Sequence, residues 1–150
     1  MRALISLLLL ALIFMSCAKK KAEEQARIDD DLIKKYISEN GLNATKTSTG
    51  LYYVIETQGA GVPCNAFSDV RVAYKGYLLD GTVFDESGAE GISFNLQQVI
   101  KGWTEGIPYF KEGGNGVLLI PSALGYGDET VGPIPANSVL VFDISLLEVL

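Results

Sequence analysis

The chain has no histidine among its 150 residues. That absence excludes Ser-His-Asp and Cys-His nucleophile systems, removes the usual general base near neutral pH, and takes away the commonest metal ligand. Cysteine is nearly absent too, with 2 residues, Cys17 and Cys64. If Cys17 is consumed by processing, Cys64 has no partner, and no disulfide framework can form even in an oxidising compartment. Cys64 then reads as a small, half-buried residue. Concentrated positive charge is also missing. Lys and Arg number 12 against 18 Asp and Glu, for a formal net charge of −6. With no basic stripe in the main body, a nucleic-acid partner is not expected. There is no internal repeat and no low-complexity segment, and no apolar run approaches the roughly 20 residues that span a bilayer.

What apolar run there is lies at the start. Arg2 is followed by Leu4-Ile5, a gap at Ser6, and unbroken apolar residues from Leu7 to Met15, then Ser16-Cys17. A short positive region, an apolar core and a small residue before a thiol make a secretory signal. The segment 1–16 is expected to be removed, with Cys17 as the acylated residue of a bacterial lipoprotein. The alternatives are an ordinary cleaved signal and an uncleaved anchor, and both still export the chain.

The remaining length suits one domain and a short extension. Lys19-Lys20-Lys21 forms a polar tether. Between residues 22 and 40, Ile28, Leu32, Ile33, Tyr36 and Ile37 recur at helical spacing, and Asn40-Gly41 is a helix stop. One apolar stripe must be covered, either by the domain or by a second copy of the helix. From Gly50 the period changes. Residues 51–56 form one strand candidate; in 69–79, Val70, Val72, Tyr74 and Gly76 alternate with Arg71, Ala73 and Lys75. Asp80-Gly81 is expected to form a type I′ hairpin turn into Val83-Phe84. Further strands are expected at 92–96, 116–121 and 138–150, with one short helix over 100–107 that Pro108 helps to end. The result is an α+β domain in which about five antiparallel strands wrap one short helix. A pocket is expected between helix and sheet.

The residues of the last hundred or so positions fall into a recognisable series. It runs from Thr47-Ser48-Thr49-Gly50-Leu51-Tyr52-Tyr53 to Val72-Ala73-Tyr74-Lys75-Gly76-Tyr77 and on through Asp80-Gly81-Thr82-Val83-Phe84-Asp85-Glu86-Ser87. Phe94-Asn95-Leu96, Val99-Ile100-Lys101-Gly102-Trp103, Leu124-Gly125-Tyr126-Gly127, Ile134-Pro135-Ala136-Asn137 and Leu140-Val141-Phe142-Asp143 follow in order. From residue 46 to 150 this series resembles the FKBP-type peptidyl-prolyl cis/trans isomerases, and the exported form with a helical extension is similar to their Gram-negative envelope lipoproteins. The resemblance implies an FKBP-like twisted antiparallel sheet and three segments: a signal at 1–16, a lipidated tether and amphipathic helix at 17–45, and the isomerase domain at 46–150.

It also implies roles. Asp85, Tyr126, Trp103, Phe84 and Phe142 would carry the reaction, and Tyr74, Phe94, Val99, Ile100 and Ile134 would hold the substrate. Trp103 would form the pocket floor, while the Ile100 N–H and the Tyr126 hydroxyl would receive ligand carbonyls. Proline-containing polypeptides are the implied substrate and a macrolide the implied inhibitor. No cofactor is implied. Two departures bear on specificity. The loop after Tyr126 is slightly short and carries Asp128, Glu129 and Thr130, and Ala136 stands where a second proline is frequent.

Singly, each nominated residue has an ordinary explanation: an aromatic in a sheet is usually core, Asp85 a turn acid, Tyr126-Gly127 a loop. A prolyl-peptide binding module or chaperone with little turnover is the competing function. Such a pocket can work without a nucleophile. Rotation about an X–Pro bond meets a barrier of roughly 18–20 kcal/mol because it destroys amide resonance. The twisted amide is less polar than the planar one, so a dry aromatic cup favours the twist.

Overall fold

The structure is a computed structural model describing the backbone from Arg2 and side chains over residues 18–150. The side chains of the apolar leader and of Cys17, the expected lipidation site, lie outside the described residues. Helix α1 is Arg2–Asn40, and among the described residues no helix is long and apolar enough to cross a membrane. The expected stop is present: Gly41 takes φ 62°, and the Leu42 N–H donates to the Ile37 carbonyl at 3.0 Å, closing a Schellman-type end.

Seven strands follow among the described residues: β1 (Thr45–Lys46), β2 (Tyr52–Thr57), β3 (Asp69–Leu78), β4 (Val83–Glu86), β5 (Ile92–Asn95), β6 (Asn115–Ile120) and β7 (Leu140–Val149). They form one antiparallel sheet in the order β1-β2-β6-β7-β3-β4, with β5 also on β3. The expectation of about five strands is therefore low. The extra ones have physical reasons. β1 is two exposed residues long, too short to show a period. β4 and β5 share one edge of β3, pairing with its Lys75–Tyr77 and Asp69–Val72 stretches respectively, and so fill a single strand position between them.

One further expectation needs correction. The hairpin at Asp80-Gly81 is not type I′, which requires positive φ at both central residues. Only Gly81 has it, at 88°; the Gly81 N–H donates to the Leu78 carbonyl at 2.9 Å, and the loop is a type I turn closed by a left-handed glycine. The short α-helix ends just ahead of Pro108, as expected. Helix α2 (Lys101–Gly106) runs directly into a 3-10 turn, Ile107–Tyr109, where Pro108 occupies the first turn and needs no N–H partner.

The long strands bury both faces. Val70, Val72, Leu140, Phe142, Ile144 and Leu146 pack with Trp103, Ile107 and Phe110 on the α2 side. On the other side Tyr52, Val54, Val117, Leu119, Val139 and Val141 pack with Ile33, Tyr36 and Ile37 of α1. The amphipathic helix thus covers its own sheet. Ile28 and Leu32, placed on the same stripe by sequence, stay about 40% exposed.

A polar cluster fixes the α1 docking. The Asp30 carboxylate accepts hydrogen bonds from Lys34 at 2.6 Å, from the Tyr52 hydroxyl at 2.8 Å, and from Lys46. Burial pushes its pKa upward, but those three donors outweigh it and hold the carboxyl well below the usual carboxylate range. Burial and the facing carboxylate push Tyr52 up to about 12. A depressed folded-state pKa contributes stability that is present above the unfolded value, about 3.9, and is lost as pH falls through the folded one. Asp30→Asn is therefore expected to melt below wild type at neutral pH, with the gap narrowing progressively below about pH 4. Melting curves that keep a constant gap from neutral to acid would remove Asp30 from the docking energetics.

Candidate active site

Five elements, β3, β4, β5, α2 and β7, meet at a cavity of about 360 Å³ between α2 and the sheet, lined by Tyr74, Phe84, Asp85, Phe94, Gln98, Val99, Ile100, Trp103, Tyr126 and Phe142. Its floor is Trp103, 4% exposed, on the first turn of α2. Three rings meet the indole edge to face: Tyr74 at 4.9 Å, Phe94 at 5.3 Å and Phe142 at 5.3 Å between centroids. Phe84 stands edge-on to Phe142 at 5.4 Å. Such pairs add about 0.5–1.5 kcal/mol each beyond area burial, so the cup is stiff before anything enters it. The Trp103 indole N–H is buried without a partner among the described residues.

The local sequence explains the convergence. Tyr74 and Gly76 lie on the inward face of β3, and Phe142 of β7 pairs with Gly76. With no side chain at Gly76, the rings of Phe84 and Phe142 close over its backbone: a Cβ there would lie 2.6 Å from one and 2.7 Å from the other. The β3–β4 register shifts between Gly76 and Tyr77. Such a bulge re-aims side chains, and here both Phe84 and Asp85 reach the cavity.

The polar groups sit at the rim. The Tyr74 hydroxyl donates to Asp85 Oδ2 at 2.7 Å. Burial first, and the facing carboxylate second, push the Tyr74 pKa far up, so it stays a neutral donor. Ile100 precedes α2; its carbonyl accepts from the Trp103 and Thr104 N–H groups, while its own N–H makes no backbone hydrogen bond among the described residues. The Thr104 hydroxyl donates to the Leu96 carbonyl and ties α2 to the preceding turn. Tyr126 projects from the β6–β7 connection, 38% exposed, with its ring against the cavity.

Of the ten pocket residues predicted from sequence, nine line this one cavity. Ile134 does not; it is buried in the core at 4% exposure. Gln98 lines it unpredicted. Its only sequence signal is adjacency to Val99, and a polar residue on a turn has an ordinary reading as surface.

The family model described as FKBP-type peptidyl-prolyl cis-trans isomerase matches residues 64–147. Among curated relatives, the FKBP-type peptidyl-prolyl cis-trans isomerase FkpA of Buchnera aphidicola (subsp. Schizaphis graminum) is 43% identical over 133 residues, covering 87% of this chain and 52% of the relative. FkpA of Escherichia coli K12 is 40% identical over 144 residues, covering 88% and 53%. The chain spans about half the length of these curated relatives. Among solved structures, Escherichia coli FkpA superposes with TM-score 0.73 at 41% identity, over 89% of this chain and 65% of that one. A peptidyl-prolyl cis-trans isomerase from Pseudomonas syringae pv. tomato also gives 0.73, at 31% identity, over 85% of this chain and 94% of that one. With the matched segment carrying most of the aromatic cup, the chain belongs to the FKBP-type peptidyl-prolyl cis-trans isomerase family.

Proposed function

We propose that the chain accelerates cis/trans rotation of X–Pro bonds in exported polypeptides. The observation that carries this reading is the cup itself: an open cavity with an aromatic floor and walls, with Asp85 and the hydroxyls of Tyr74 and Tyr126 among the side-chain polar groups beside the rings. A proline ring is compact and apolar, and fits between Trp103, Phe84 and Phe142 without needing a charge partner. In this dry setting the planar amide loses the water that favours its polar resonance form, and the twisted form is stabilised relative to it. The free Ile100 N–H and the Tyr126 hydroxyl hold the flanking carbonyls, while the Tyr74–Asp85 pair fixes a dipole at the rotating bond. No covalent step is required. A macrolide is expected to occupy the same cup and inhibit.

The placement of the domain follows from the leader. Cleavage after residue 16 and acylation of Cys17 make the chain a lipoprotein of the bacterial envelope, its domain facing the periplasm or held at the outer membrane. Domain boundaries at 16/17 and 45/46 separate signal, tether with helix, and isomerase. One lipid chain binds a membrane only marginally, so stable anchoring takes the multiple acyl chains of a lipoprotein cysteine.

The deciding measurement is isomerisation of a short Xaa-Pro peptide by the purified full-length chain, with and without macrolide. Tyr126→Phe removes one hydrogen bond worth about 1 kcal/mol, so kcat/KM is expected to fall about fivefold. Asp85→Val also strands the Tyr74 hydroxyl, and the fall is expected to reach about tenfold or more. Unchanged rates in folded variants would take both residues out of the mechanism. A folded, inactive wild-type chain that binds prolyl peptides would instead make this a binding module.

A further inference from the structure

Two polar residues are buried most completely among the described side chains, and they bond to each other: Asp29 of α1 at 0% and Ser122 at 2% exposure. Asp29 Oδ2 accepts from the Ser122 backbone N–H at 2.8 Å and from its hydroxyl at 2.6 Å, while Oδ1 accepts from the Gln25 amide at 2.7 Å. A buried carboxylate costs several kcal/mol of desolvation unless it is bonded this fully. Helix docking alone does not call for it, since Ile33, Tyr36 and Ile37 already bury α1 against the sheet.

What Asp29 holds is the base of the Tyr126 loop. Ser122 opens the 3-10 turn Ser122–Leu124, and its single carbonyl accepts the N–H groups of both Gly125, at 3.0 Å, and Gly127, at 2.8 Å. Those two residues bracket Tyr126. The Gly127 carbonyl then accepts the Asn137 N–H at 2.8 Å, closing the loop on the stretch before β7. Every polar group of Ser122 is thus committed, donors to Asp29 and acceptor to the flanks of Tyr126.

We propose that Asp29 is a positioning residue for Tyr126, so that the N-terminal helix is a working part of the isomerase site and not only a spacer between anchor and domain. The effect passes through Ser122: the carboxylate fixes its amide plane, and that plane aims the carbonyl from which the Tyr126 loop hangs. The proposal takes the isomerase reading above for its consequence on rate, but its structural half stands apart from turnover.

The experiment uses the full-length chain and two readouts. Asp29→Asn keeps the shape and removes the charge. Amide exchange at Gly125 and Gly127 is expected to quicken by about tenfold or more, with Leu118 and Phe142 in the sheet unchanged. On a prolyl peptide, kcat/KM is expected to fall about fivefold in the wild-type background and by less than about twofold in a Tyr126→Phe background, because only a tyrosine hydroxyl can be mispositioned. Ser122→Thr, which keeps both donors, should behave as wild type, and Ser122→Ala should fall between. Ile33→Ala loosens the same helix without touching Ser122, and its effects should add to those of Tyr126→Phe. Unaltered Gly125 and Gly127 exchange in Asp29→Asn overturns the proposal, as does strict additivity with Tyr126→Phe or an identical loop response from Ile33→Ala. If the wild-type chain does not turn over but the loop amides still respond, the isomerase reading fails and the positioning role holds.

Discussion

Trp103→Ala is expected to cut kcat/KM on a prolyl peptide by about 30–100-fold and to cost about 3–5 kcal/mol of stability. Both effects come from one position. The indole is 4% exposed and is the ring that Tyr74, Phe94 and Phe142 all touch, so its removal opens a cavity that none of the three can fill from its own strand. The stability loss is therefore at the high end for a core truncation. The rate loss has a separate origin. Without a floor, water enters beneath the substrate and solvates the planar amide, and the preference for the twisted form disappears. Trp103→Leu separates the two, because it restores apolar volume without the flat face. It should recover much of the melting temperature and little of the rate. Thermal melts and isomerisation assays on both variants check this; a folded Trp103→Ala chain with wild-type kcat/KM would sink the aromatic-cup mechanism.

The sequence made the cup readable because its walls are periodic. Val70, Val72, Tyr74 and Gly76 alternate along β3, and that alternation alone puts Tyr74 on the helix-facing side with the buried valines. The short helix was readable from Val99, Trp103 and Ile107 on one face, although its continuation through Pro108 was not, since a proline stops an α-helix but is at home in the first turn of a new one. Other features depend on partners distant in the chain. Ile134 follows an exposed loop and has no period to show that it turns inward to the core. Asp29 sits in the run Asp29-Asp30-Asp31, which reads as solvated helix charge. Only the fold reveals that Asp29 meets Ser122, 93 residues away, that Asp30 meets Lys46 and Tyr52, and that Asp31 stays at the surface with Arg27. Three adjacent carboxylates point in three directions around a helix, and composition carries no trace of which is buried.

Gly76→Ala is expected to damage the site more than its one methyl suggests. The added Cβ would stand 2.6 Å from Phe84 and 2.7 Å from Phe142, two rings already in edge-to-face contact, with Phe142 backed by Trp103. Phe142 cannot retreat without disturbing its contacts with Tyr74 and Trp103, and β3 cannot shift because it pairs with β7 along its length. Overpacking of this kind costs about 1–3 kcal/mol. Because the methyl lands between the two walls that hold proline, kcat/KM should fall about tenfold as well. Gly81→Ala supplies the contrast. Gly81 has φ 88° with nothing within 4 Å of a Cβ, so alanine there strains the hairpin backbone without touching the cup. It should lose about 1 kcal/mol of stability and leave kcat/KM near wild type. If the two variants lost rate in proportion to lost stability, the rings would be acting as ordinary core; if Gly76→Ala alone loses rate, the spacing of Phe84 and Phe142 is set for the ligand, and glycine at position 76 is what keeps it open.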